Sequence, residues 1–85
     1  MQITYHADPS HGWAEIPVSL IQELGISGQI SPYSYVKGDK AYLEEDCDLG
    51  LFLRAYKATG REVSFTENHI DQDHWIRNLT RWGKK

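Results

Sequence analysis

The chain has 85 residues, 40% of them hydrophobic and 25% charged, enough to wrap one core and too few for a second domain. Its formal charge of −3 and pI near 5.7 argue against a general polyanion binder, which needs a surplus of lysine and arginine on one face. Cys47 is the sole cysteine, so no internal disulfide forms. With no apolar leader at the start and no membrane-length apolar run, the expected setting is a reducing cytoplasm.

Residues 2–6 alternate, with Ile3 and Tyr5 on one side, and predict a short strand that ends in the turn formers Ala7, Asp8, Pro9, Ser10, His11 and Gly12. Residues 13–16 lead to Pro17, well suited to the first helical position, and Pro17, Leu20, Ile21 and Leu24 make an apolar stripe that stops at Gly25. A helix of two turns is predicted, with Ile26 packing back onto it. Residues 27–32 form a connector. The β-prone runs 33–36 and 41–43 flank Lys37, Gly38, Asp39 and Lys40, and the glycine supplies the positive φ that a tight hairpin requires.

The acids of 44–48 stand where a helix N-terminus favours negative charge, with Asp46 as the expected cap. Leu49, Phe52, Leu53 and Tyr56 then fall at i, i+3, i+4 and i+7, and Gly60 sits at the expected left-handed C-terminal cap. Residues 61–66 alternate as a half-buried strand with Val63 and Phe65 inward. Residues 67–74, polar apart from Ile70, read as a loop. Residues 75–82 fit both a strand and a helix, and the strand is the preferred reading; residues 83–85 are expected to fray.

The predicted class is α+β: an antiparallel sheet with two helices on one face, in βαββαβ (ferredoxin-like) order, plus a C-terminal strand or helix, all in one domain spanning 1–85. The bare sheet face would carry Tyr33, Tyr35, Tyr42 and part of the tryptophan set, and an exposed aromatic face is an interaction surface.

A likeness rests on His6, Ala7, Asp8, Pro9, Ser10, His11, Gly12 and Trp13, then Ile16-Pro17 with Leu24, Gly25 and Ile26, then Tyr33-Ser34-Tyr35, Gly38-Asp39 and residues 42–48, and it runs on to Arg77. In these residues the chain resembles a group of small uncharacterised proteins encoded by bacterial phages and other mobile elements. The resemblance brings no activity and gives no residue a role. It implies a setting, the bacterial cytoplasm during infection or carriage, where small proteins often bind and block a host or defence protein, as anti-CRISPR inhibitors do.

Three constellations carry chemistry. His6, Asp8 and His11 in one loop, with His69, Asp71, Asp73 and His74 in another, offer nitrogen and oxygen donors suited to zinc, the basis of a metal-dependent hydrolase reading. No established metal signature matches, and local turn hydrogen bonds with solvent-facing or capping histidines account for the same residues, so no metal or cofactor is expected. Cys47, with Asp46 beside it and His69 elsewhere, has the elements of a thiolate nucleophile. Glu44, Glu45, Asp46 and Asp48 oppose ionisation, so a buried, inert cysteine is expected instead; the helix terminus already accounts for these acids, and calcium-loop spacing is absent. Trp75, Arg77, Arg81 and Trp82, followed by Lys84 and Lys85, form the basic aromatic segment. Arginine with stacking rings suits single-stranded nucleic acid, although the ring-bearing motif of RNA-recognition sheets is missing. The leading expectation is a non-enzymatic protein that binds a bacterial host or defence protein. Tyr33, Tyr35 and Tyr42 would serve as anchors, and Glu44, Glu45 and Asp48 would supply charge complementarity.

Overall fold

Period-two alternation builds one mixed sheet from β1 (Gln2–Ala7), β2 (Gly12–Pro17), β3 (Tyr35–Lys37), β4 (Lys40–Glu44), β5 (Ser64–His69) and β6 (Thr80–Arg81), in the spatial order β5-β1-β2-β4-β3-β6. Two helices, α1 (Val18–Glu23) and α2 (Asp48–Lys57), connect the strands. This computed structural model describes residues 1–72 and 74–83. The neighbours β1–β2, β2–β4, β4–β3 and β3–β6 run antiparallel, whereas β1 and β5 are parallel, with Ile3 opposite Phe65 and Tyr5 opposite Glu67.

The chain is α+β, as expected, but its sheet is mixed rather than antiparallel and its order departs from βαββαβ. Residues 12–17 form a full strand ahead of α1, because Ala14 and Ile16 point to the helices while Trp13 points to the opposite face. Pro17 therefore ends a strand and caps α1 instead of opening it. The β3–β4 hairpin turns through Gly38 at φ 60° with Lys37 opposite Lys40, the geometry of a turn with glycine first. Gly60, at φ 84°, takes up the left-handed region after α2.

Both helices cover one sheet face, so that part of the expectation holds. Ile3, Ala14, Ile16, Ala41 and Leu43 meet Ile21 of α1 and Leu49, Phe52 and Tyr56 of α2, with Ile26 folded back so that its N–H donates to Ile21. At the start of α2 the expected Asp46 cap is not made: Cys47 takes the N-cap position with no side-chain bond, and Glu44 Oε2 instead closes the preceding turn by accepting from the N–H of Asp46 and of Cys47, each at 2.9 Å. Asp48 turns inward and accepts from the N–H and hydroxyl of Ser31 and from the Ser34 hydroxyl.

The other face is covered too. A 3-10 turn, Trp75–Asn78, lays Ile76 on Trp13, Tyr35 and Tyr42 to make a second core, with Leu79 at its margin. The expected exposed aromatic sheet is thus closed, since Tyr35 and Tyr42 are 8% and 5% exposed. Residues 75–82 are neither one strand nor one helix but this turn followed by the two residues of β6. The strand expected at 61–66 lies at 64–69, and Phe65 is exposed instead of inward, because β5 pairs with β1 at the sheet margin. Lys84 and Lys85 lie outside the described residues.

Candidate functional site

The β1–β2 turn anchors the second core through Asp8, whose side chain is fully buried. Asp8 Oδ1 accepts from the N–H of Ser10 at 3.0 Å and of His11 at 2.9 Å, an aspartate turn of the kind the sequence predicts. Its oxygens also take the C-terminal segment: the His74 N–H at 3.1 Å, Arg77 Nε at 2.7 Å and Arg77 Nη2 at 3.0 Å. A two-pronged guanidinium–carboxylate pair is the strong form of this interaction. The Arg77 guanidinium, with help from these N–H groups, holds the Asp8 carboxyl well below the usual carboxylate range despite the cost of its burial.

The histidines engage different partners rather than a common point. His6 Nε2 lies 3.0 Å from Glu15 and its Nδ1 3.2 Å from the Asn68 amide. His11 stacks on Trp13 and faces Arg77, and His69 is exposed beside Asp71. Among the described residues no three histidine, cysteine, aspartate or glutamate side chains converge as metal ligands. Asp73, part of the expected ligand set, lies outside them.

His74 is 1% exposed. Its Nδ1 accepts from the Ile76 N–H, so the neutral ring carries its proton on Nε2, which has no partner among the described residues. Burial, followed by the charges of His6 and Arg77, lowers its pKa from 6.5, against the pull of Asp8. The folded state therefore holds His74 neutral while the unfolded chain accepts a proton near 6.5, so its contribution is complete above that pH and is lost as pH falls toward the folded value. The denaturation midpoint is expected to drop between about pH 7 and pH 5, and His74→Phe, which cannot take the proton, should flatten that slope. Midpoints at three pH values decide it; an equally steep variant would assign the slope to other groups.

Beside this knot runs a groove of about 370 Å³. Trp13, Tyr33 and Tyr35 supply its aromatic surface, with Arg77 and Arg81 giving it positive groups and Glu44 and Asp46 negative ones, next to His11 and Cys47. Arg81 sits over the Tyr35 ring at 5.4 Å and donates to the Pro32 carbonyl. Arg77 sits over Trp13 at 5.2 Å. Cys47 is exposed, not buried as expected. Its thiol is nevertheless pushed above its ordinary value, first by desolvation at the groove wall and then by Glu44, Asp48 and Asp46, so the expected inertness has a physical basis.

The structure thus gathers residues from two sequence expectations, Tyr33, Tyr35 and Glu44 from one and Arg77 and Arg81 from the other. Of these, Tyr33 stands out at 63% exposed. Tyr42 lies beneath, against His6 and Trp75, and burial, ahead of the charges of Glu15 and Asp39, raises its pKa. Asp48 is buried in its serine contacts. Glu45 is on another surface, where its carboxylate accepts from the Tyr5 hydroxyl. Trp75, 44% exposed, meets Tyr42 edge-on and His74 at a tilt, and Trp82 donates from Nε1 to the Ser27 carbonyl. Nothing in the sequence assigns Trp13 or His11 to the groove: Trp13 directly follows the turn formers, and which face it takes depends on residues 12–17 being a strand.

Comparison with protein-family models, curated proteins and solved structures gives no match.

Proposed function

We propose that the protein is a small non-enzymatic binding protein that docks a protein partner in the groove around Tyr33 and acts by occlusion. The observation that carries this reading is the exposed Tyr33 ring beside Trp13, Tyr35 and Arg81. Tyrosine, tryptophan and arginine gathered at one cleft are the residues that dominate binding energy at protein interfaces. Charges of both signs line the cleft, which suits the mixed surface of a protein better than the uniform charge of a phosphodiester chain. The resemblance to phage and mobile-element proteins favours a bacterial host or defence protein as the target, in the manner of an anti-CRISPR inhibitor.

Within this site Glu44 and Arg77 also hold the fold, so exposed residues give the cleaner test. Once a partner is captured and purified, Tyr33→Ala is expected to cost on the order of 2 kcal/mol of binding, about thirtyfold in Kd. Arg81→Glu and Asp46→Lys should mainly slow association. Circular dichroism should remain that of the wild type in all three. The arginines beside stacking rings also support a nucleic-acid reading. Gel shifts with single- and double-stranded DNA and RNA at two salt concentrations separate the two. Micromolar binding that weakens steeply with salt and disappears in Arg81→Glu would displace the protein partner.

A further inference from the structure

The two margins of the sheet are unlike. At one, β6 is two residues long, and so short a strand offers little to a neighbouring chain. At the other, β5 runs for six residues, Ser64–His69, and every one of them is exposed. Ser64 N–H donates to the Met1 carbonyl and Ile70 N–H to the Ala7 carbonyl. In a parallel ladder the bonding residues alternate, so the N–H and C=O groups of Phe65, Glu67 and His69 point away from β1. No proline, lysine or arginine interrupts the strand, although these are the usual means of protecting an open margin.

Beside this margin, on the helix face, lies a second groove of about 400 Å³ lined by Tyr5, Leu49, Leu53, Phe65 and Glu67. It is apolar in its walls and acidic at its rim. Burial raises the Tyr5 phenol well above its usual range, and the hydrogen bond to Glu45 and the charges of Glu45, Glu67 and Asp46 add to the rise. An added strand would point every second side chain toward this groove. A second copy of the chain is a poor occupant: the antiparallel register that uses all three outward residues of β5 sets Glu67 against its own counterpart, and like charges directly opposite are unfavourable.

We propose that β5 is a docking edge for an extended segment of a protein partner, whose groove-facing residues are apolar on either side of a lysine or arginine placed against Glu67. The main chain of that segment would take up the outward N–H and C=O groups of Phe65, Glu67 and His69. Its apolar side chains would lie along Phe65 and Leu53, and its cation would meet the acidic rim. This surface lies at the β5 margin and shares no lining residue with the groove around Tyr33, so it does not depend on that groove being used.

The probe is a capped heptapeptide that alternates threonine with, in order, valine, lysine and valine, titrated into the full-length protein while backbone amide resonances and hydrogen exchange are followed. The expected result is shift changes and slowed exchange at the amides of Phe65, Glu67 and His69, with Kd raised on the order of tenfold when glutamate replaces the peptide's lysine. Glu67→Lys should reverse that preference. Glu67→Pro removes an outward N–H that the sheet itself does not use and should abolish docking; if it fails to fold, the Glu67→Lys reversal still decides. Unchanged amides at millimolar peptide, shifts confined to the groove around Tyr33, or a free protein that sediments as a dimer joined through β5 would each overturn the proposal.

Discussion

Asp8→Ala is expected to destabilise the fold by about 3–5 kcal/mol, because it removes the buried carboxylate that pairs with Arg77 and, with it, the acceptor for three backbone N–H groups at once. Asp8→Asn should recover little, since whichever way the amide turns its NH2 meets donors. Urea denaturation followed by tryptophan fluorescence measures it. The double variant with Arg77→Ala should lose less than the two single losses combined, as the two residues act as one unit. A wild-type midpoint for Asp8→Ala would show that the C-terminal segment is held in place without the Asp8 carboxylate. Acid acts on the same bond: the Asp8 carboxyl is held below its ordinary 3.8, so its stabilisation is present above that pH and disappears as pH falls further.

Phe52→Ala should cost about 3–5 kcal/mol, since the ring is fully buried between α2 and the sheet and stacks on Tyr56 at 5.5 Å. Leu53 is only half-buried on the groove side of the same helix, so Leu53→Ala should cost about 1 kcal/mol. Both belong to the apolar stripe of the sequence, and the difference between them measures how α2 is rotated. Equal losses in chemical denaturation would mean that the helix presents its face between the two residues rather than through Phe52.

The parts of the fold that depend on neighbours in sequence could be read from it. The β3–β4 hairpin follows from Gly38, the span of α2 from the stripe ending at Tyr56 and the glycine at 60, and the aspartate turn from Asp8 with Ser10. The parts that depend on distant residues could not. Arg77 is joined to Asp8 across most of the chain, and nothing near either residue marks the other. The same is true of the second core: Tyr35 and Tyr42 are arranged like an exposed face, and the later residues Trp75, Ile76 and Arg81 cover them. The strand expected at 61–66 differs in the opposite direction: alternation with Val63 and Phe65 inward is the pattern of a half-buried strand, whereas burial depends on what lies above it, and Phe65 is left partly uncovered. For the groove, the sequence offers Tyr33 as a candidate anchor. Its joining to Arg81 required the tertiary fold.

The position of β1 also bears on how the protein is made. It precedes the other five strands of the sheet in the chain, yet it lies inside the sheet, paired with β2 on one side and with β5, some sixty residues later, on the other. During translation β1, β2, β3 and β4 can assemble with both helices while Trp13, Tyr35 and Tyr42 still face water and Asp8 waits for Arg77. The late contacts close long loops, which makes their formation the slow part of folding. A nascent chain stalled before residue 74 would therefore expose a sticky aromatic sheet with one strand open for pairing, which is the species a chaperone or protease would meet first.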